Sequence, residues 1–207
     1  MNRKRRYLLL GAGSALALSA FGASAAALAP TPRQTRGPFY PPDPPLDADS
    51  DLVHVDGHPR RARGTVADVT GRIVDPSGAP IDAARVEIWQ CDANGRYHHP
   101  RAPADGRDPG FQGFGTATTD ADGCYRFRTI RPVPYPGRTP HIHFRVVAPE
   151  FPELVTQMYI AGHPMNAGDA IFRRAGAARE RLAVAFESAA DPAIRQRARF
   201  DLVIAPA

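Results

Sequence analysis

Apolar and polar positions alternate with a period of two through the middle of this 207-residue chain, the spacing of half-buried β-strands. Residues 65–74, 84–91, 115–119, 124–130, 138–148 and 154–160 carry that alternation or a short apolar run between turn signals. Pro76-Ser77-Gly78 ends the first, and Asp120-Ala121-Asp122-Gly123 joins the third and fourth as a hairpin. Within 84–91, Val86 and Ile88 share one face while Trp89 and Cys91 share the other. Toward the carboxyl end, 177–188 reads as a short helical segment with Leu182, Val184, Ala185 and Phe186 on its stripe, and 199–204 as a last strand. Short strands at regular intervals predict a mainly β fold, an antiparallel β-sandwich.

Residues 29–59 break the pattern with Pro38, Pro41, Pro42, Pro44 and Pro45, which predicts an extended arm lying across the domain. The expected division is a signal over 1–29, the Pro-rich arm over 30–64 and the sandwich over 65–207, a length that suits one domain. Arg5-Arg6 ahead of Leu8-Leu9-Leu10, a Gly/Ala-rich apolar stretch and Ala23-Ser24-Ala25 predict a twin-arginine export signal cut near 25–29. An ordinary secretory signal or an uncleaved anchor is the alternative. The expected location is therefore periplasmic or extracellular, with no stable membrane insertion after cleavage.

That segment changes the charge picture. The chain has 26 Lys and Arg against 21 Asp and Glu, but Arg3, Lys4, Arg5 and Arg6 belong to the signal. The remainder is close to neutral and carries no basic stripe for nucleic acid. Cys91 and Cys124 fall in predicted strands of an exported chain, so they either bridge adjacent strands or stay as two buried thiols.

The candidate chemistry lies in Thr139-Pro140-His141-Ile142-His143-Phe144-Arg145. On a strand, His141, His143 and Arg145 share a face, and Ile142, Phe144 and Val146 turn to the core. Two imidazoles one repeat apart can reach a single metal ion. Tyr135 stands in a loop stiffened by Pro132, Pro134 and Pro136, and Tyr97 follows the end of a predicted strand. Read singly, each is as ordinary as a corner tyrosine or a half-buried loop aromatic.

Taken in chain order, the motifs carry a resemblance. Ile88-Trp89-Gln90-Cys91-Asp92-Ala93-Asn94-Gly95-Arg96-Tyr97, the run Thr119 to Ile130 with Pro134-Tyr135-Pro136, Pro140-His141-Ile142-His143-Phe144 and Thr156-Gln157-Met158-Tyr159 resemble the intradiol ring-cleavage dioxygenases, the protocatechuate type most closely. The resemblance covers about residues 65–165. It implies one mononuclear non-haem Fe(III) held by Tyr97, Tyr135, His141 and His143, with Tyr135 and His143 axial. Phenolates are hard anionic donors suited to ferric iron, whereas zinc prefers His, Cys and carboxylates. It further implies cleavage of a catechol-type substrate by O2 between its hydroxylated carbons, giving a cis,cis-muconate-type product. Tyr135 would leave the metal as substrate binds, Arg138 would face the ring, and Gln157 would be its hydrogen-bonding partner. Gly37-Pro38-Phe39-Tyr40 resembles a stretch bordering the pocket, which makes Tyr40 either a substrate-wall residue or a tyrosine packing the arm down. Members of the family often assemble, so a homo-oligomer is possible.

The chain departs from the protocatechuate type in a short 135–141 loop with Gly137 in place of a bulky aromatic. No basic residue matches a partner for a substrate carboxylate, so catechol, protocatechuate, hydroxyquinol and larger phenolics all stay open. His54, His58, His98, His99 and His163 match no ligand position. Gly71 to Pro80 with Thr119 to Phe127 also resembles non-catalytic transthyretin-like or carboxypeptidase-regulatory binding modules, which have no reason to carry both tyrosines and the histidine pair. A copper or zinc site built from His141, His143 and His98-His99 is a further alternative.

Overall fold

The structure, a computed structural model, describes residues 26–45, 47–191 and 193–206. The expected export signal lies outside the described residues up to residue 25. Two sheets face each other. In the first, β1 (Val66–Val74) is the central strand, paired antiparallel along one edge with β4 (Cys124–Ile130). Its other edge takes β9 (Gln196–Arg199) and then β10 (Leu202–Val203), both parallel, and β8 (Glu187–Ser188) extends the sheet beyond β9. The second sheet runs β3 (Phe114–Thr118), β2 (Arg85–Trp89), β5 (His141–Val147), β6 (Leu154–Ile160) and β7 (Ala183–Val184). The long ladders are antiparallel, as expected, but β3 and β4 lie in different sheets, so the turn at Asp120–Gly123 crosses between the sheets and does not close the expected hairpin. The parallel pairs come from the short strands near the carboxyl end.

The alternation explains the layering. Val69, Phe127 and Ile130 of the first sheet and Val86, Ile88, Ile142 and Phe144 of the second are fully buried in one cluster between the sheets. Each such side chain contributes roughly 1.5–3 kcal/mol relative to exposure. Leu52 and Val53, from the segment read as an arm, are also fully buried there. Leu52 N–H donates to the Arg128 carbonyl at 2.8 Å and Arg128 N–H to the Ser50 carbonyl at 2.8 Å, so this stretch is stitched onto β4.

The helical reading of 177–188 holds over its first half: residues Gly176–Leu182 form a 3-10 helix, and the chain then extends into β7 and β8. Leu182, Val184 and Phe186 recur every second residue, which suits an edge strand and not a 3.6-residue helix. Among the described residues the α-helix is α1 (Ala170–Arg174), started by the Asp169 side chain. It is too short to cross a membrane, as is every described helix. Cys91 and Cys124 are both free. Cys91 lies just beyond β2 and Cys124 opens β4 of the opposite sheet. Burial pushes the Cys91 thiol up to about 12, which makes it inert.

The outer face of the second sheet positions the site. In antiparallel register, residues directly opposite each other share a face. His143 lies opposite Trp89 on one side and Gln157 on the other, His141 lies opposite Tyr159, and Arg145 lies opposite Glu87. That face would meet water in an open sandwich, yet Trp89, His141, His143, Gln157 and Tyr159 are all buried. The arm covers it. Gln34 N–H donates to the Val155 carbonyl at 2.7 Å, Thr156 Oγ1 to the Pro32 carbonyl at 2.7 Å, and Gln157 Nε2 to the Thr35 carbonyl at 3.0 Å. Arg36 pairs with Glu153 at 2.8 Å, and Tyr40 donates to Glu87 at 2.8 Å.

Candidate metal centre and active site

Two loops and one strand bring four donors together. Asp92, buried just after β2, accepts from Asn94 N–H (2.8 Å), Arg96 N–H (3.0 Å) and Asp108 N–H (2.7 Å). Those bonds wind the tight turn that delivers Tyr97. Gly95 within it has φ +71°, and a Cβ there would stand 3.2 Å from the Pro134 carbonyl, so glycine lets the turn pack on the Tyr135 loop. The Tyr135 loop is closed by Arg138 N–H donating to the Tyr135 carbonyl at 2.9 Å. β5 then supplies His141 and His143.

His141 Nε2 lies 3.2 Å from His143 Nε2 and 3.5 Å from Tyr97 Oη, and the Tyr97 and Tyr135 rings meet edge to face at 5.4 Å. His141 Nδ1 lies 2.6 Å from the Thr139 carbonyl, which can only accept; the proton is therefore on Nδ1 and the Nε2 lone pair faces His143. His143 Nδ1 is buried with no hydrogen-bond partner. Its ring is held by packing, stacked on Trp89 at 4.7 Å and 6°. Gly37 (φ +72°) passes over its other atoms so closely that a Cβ would stand 3.3 Å from His143 Cε1.

These environments favour neutral donors. Burial, helped by the nearby Arg138 charge, lowers His141 to about 3 and, with His141 beside it, holds His143 well below its usual range. Burial also pushes the Tyr97 phenol well above its ordinary value, with Cys91 and Tyr135 adding to the effect. Tyr135 is raised by burial too, against the opposing pull of Arg138. Three buried groups and the half-buried Tyr135 thus present lone pairs or exchangeable phenol protons to one another. Two nitrogens bound at right angles to an ion about 2.1 Å away stand about 3 Å apart, and the observed separation of the imidazoles matches that spacing. The donor set fits a highly charged, hard cation that replaces the phenol protons.

The histidine shifts set a stability trend for the metal-free protein. Unfolded His titrates near 6.5. Folded His141 resists protonation down to about 3, so the unfolded state binds more protons in that interval. Stability is full above the unfolded value and is lost as pH falls toward 3. Urea unfolding of the metal-free protein from pH 8 to 4 is expected to show this slope, and His141→Asn to flatten it; equal slopes would contradict the assignment.

Beside the donors, Arg138 Nη2 donates to Gln157 Oε1 at 2.7 Å and Nη1 lies 3.4 Å from Tyr135 Oη, so the short loop does bring Arg138 and Gln157 to the site. Tyr159 Oη lies 2.7 Å from Gln34 Oε1, to which it donates, and 3.0 Å from Gln157 Oε1, which places the arm against this cluster. Tyr40 is not against the donors. Its hydroxyl is spent on Glu87 and its ring meets Trp89 edge-on at 5.0 Å, so the wall reading gives way to the packing one. The neighbouring Phe39 is the residue over the site, stacked on Tyr97 at 4.6 Å and edge-on to Tyr135 at 6.2 Å. Phe39, Trp89, Tyr159 and Asp169 were given no role at the site from the sequence, although Phe39, Trp89 and Tyr159 sit inside the motifs that carry the resemblance.

His98 and His99 do not join His141 and His143. His98 Nε2 lies 3.6 Å from Asp92 Oδ2, and His99 Nδ1 accepts from Arg101 N–H at 3.0 Å. Among the described residues no three His, Cys, Asp or Glu side chains converge.

A family model described as "Dioxygenase" matches residues 35–206. The protocatechuate 3,4-dioxygenase beta chain of Burkholderia cepacia is 47% identical over 124 residues, 55% of this chain and 53% of that one. The hydroxyquinol 1,2-dioxygenase of Corynebacterium glutamicum is 33% identical over 201 residues, covering 82% of this chain and 62% of its own. Among solved structures, the dioxygenase domain of a dioxygenase carbohydrate-binding protein fusion from Streptomyces sp. SirexAA-E superposes with a TM-score of 0.68 at 34% identity, covering 86% of this chain and all of that one. Catechol 1,2-dioxygenase from Acinetobacter sp. ADP1 superposes with a TM-score of 0.66 at 28% identity, over 85% of this chain and 63% of its own. The chain belongs to the intradiol ring-cleavage dioxygenase family, whose members use non-haem iron. It spans 53% to 62% of the length of the two curated relatives above.

Proposed function

We propose that this chain is a non-haem Fe(III)-dependent intradiol dioxygenase that cleaves a catechol-type ring between its two hydroxylated carbons. The observation that carries the reading is the convergence of one buried and one half-buried phenol and two neutral imidazoles beside the Arg138–Gln157 pair. Tyr97, Tyr135, His141 and His143 would hold the iron. Bound there, ferric iron supplies a Lewis acid for both catecholate oxygens and an electron sink that opens the ring to O2.

The chain's own residues supply the rest. Tyr135 Oη, the more exposed of the two phenolic donors, accepts a proton from the entering catechol, and the Arg138 guanidinium 3.4 Å away steadies its charge before that transfer. With Gln157 holding one of its amino groups, Arg138 presents fixed positive charge where electron density builds on the ring. Phe39 and Trp89 flank the donors with apolar surface, which keeps water from the ring and strengthens those charges. Both atoms of O2 enter the product, one in each new carboxyl group, giving a cis,cis-muconate-type diacid. Export by the Arg5-Arg6 signal, supported by the sequence alone, would place this reaction outside the cytoplasm.

The purified iron-loaded protein is expected to be wine-red from tyrosinate-to-iron charge transfer and to consume one O2 per catechol. A panel of catechol, protocatechuate and hydroxyquinol reads the substrate. A colourless protein that binds zinc stoichiometrically and takes up no O2 with any of them would sink the proposal.

A further inference from the structure

Asp169 is fully buried and uses both carboxylate oxygens twice. Oδ1 accepts from Ile171 N–H and Phe172 N–H, both at 2.9 Å, and so starts α1. Oδ2 accepts from Arg138 Nε at 2.8 Å and from Thr139 N–H at 3.0 Å. The Thr139 carbonyl is the group that holds the proton on His141 Nδ1, at 2.6 Å. A helix start alone asks for one oxygen, and Ser, Thr or Asn would serve it equally. Only a carboxylate can also accept from two further donors. The residue type is thus explained by what it does for Arg138 and Thr139, not by the helix.

We propose that Asp169 is a positioning residue for ring cleavage: one carboxylate fixes the Arg138 guanidinium beside Tyr135 and the backbone N–H of Thr139, the residue whose carbonyl sets the proton on His141. The inference rests on the dioxygenase reading of the site. Arg138 reaches Tyr135 and Gln157 through its two amino groups only because its Nε is anchored behind them. Asp169 holds the Thr139 N–H, and across the Thr139 Cα the carbonyl of the same residue meets His141 Nδ1. Burial opposes ionisation of Asp169, but the Phe172 N–H, Arg138 and the Thr139 N–H outweigh it and keep the carboxyl below its ordinary range. The acceptor is therefore a carboxylate at any pH where the enzyme works.

Asp169→Asn separates the two duties. The amide oxygen still starts α1, while its NH2 group faces two donors and can bond to neither. The iron-loaded variant is expected to lose about 10- to 100-fold in kcat, the size usual for residues that hold metal ligands and their neighbours, with KM for catechol little changed. In the metal-free variant, 15N NMR is expected to show His141 as a mixture of tautomers where wild type shows Nδ1–H alone. Asp169→Ser, which keeps a helix start and adds no opposing donor, is expected to behave alike and serves if the Asn variant does not fold. In wild type the Arg138 Nε–H should give a resolved, slowly exchanging signal, a reading that needs no variant. A folded variant with wild-type kcat, an unchanged His141 tautomer, or a rapidly exchanging Arg138 Nε–H overturns the proposal. Failure of the parent reading looks different: wild type would then turn over no catechol at all, while the tautomer and exchange readings would still stand.

Discussion

Tyr97→Phe is expected to leave a folded protein without its red colour and with kcat/KM for its catechol reduced by more than the ~100-fold typical of residues that merely support a metal ligand. The substitution removes a single oxygen from a ring that is 4% exposed and stacked on Phe39. Phenylalanine keeps that stacking. The lost hydroxyl has polar neighbours only within the donor set, with His141 Nε2 at 3.5 Å. The net stability change should therefore stay within the ~0.5–1.5 kcal/mol of one ordinary hydrogen bond. The functional change is of another order. Burial makes an unbalanced charge in this cavity costly, and under the proposed function the Tyr97 phenolate would be one of two anionic side chains balancing a ferric ion there. Without it, ferric iron would bind more weakly and be more easily reduced. Visible absorption, iron stoichiometry and steady-state O2 uptake check the outcome together. A Phe variant that keeps both colour and turnover would remove Tyr97 from the donor set.

Much of this site is written in the strand alternation. His141 and His143 on one face and Ile142 and Phe144 on the other follow from the period of two, and the structure has them so. Ligand positions on loops were reachable only through the motifs, because Tyr97 depends on the Asp92 turn and Tyr135 on packing against Gly95. The arm shows where local reading stops. Its prolines announce an extended path, but nothing in them says that Leu52 enters the core or that Gly37 lies against His143. Those are long-range contacts set by the other sheet. The segment 177–188 stays helical only as far as Leu182 for a related reason: its apolar residues are sparse enough to suit two periods, and beyond Leu182 the free edge of β6 decides for the strand. Asp169 had no signal beyond that of a helix start, since its partners lie some thirty residues away, with Arg138 at |i−j| = 31.

Trp89→Ala is expected to damage fold and metal site at once. Trp89 is 1% exposed and packs with Cys91, Tyr97, Phe114 and Val155, so truncation costs about 3–5 kcal/mol. For a domain of this size that is a fall in Tm on the order of 10 °C. The effect on iron follows from how the two imidazoles are held. His141 is fixed by its Thr139 hydrogen bond, whereas His143 has no partner at Nδ1 and relies on the parallel indole at 4.7 Å and on Gly37 across from it. Removing the indole frees the His143 ring to rotate, and iron affinity should drop by about 10- to 100-fold. Trp89→Phe is the informative companion. It keeps an aromatic plane, and the indole N–H it discards has no hydrogen-bond partner, so it should retain most of the iron affinity while losing part of the stability. Iron titration by the charge-transfer band and thermal melts of the metal-free proteins separate the two effects. If the Ala variant binds iron as tightly as wild type with an unshifted band, packing does not orient His143, and the unpartnered Nδ1 needs another explanation.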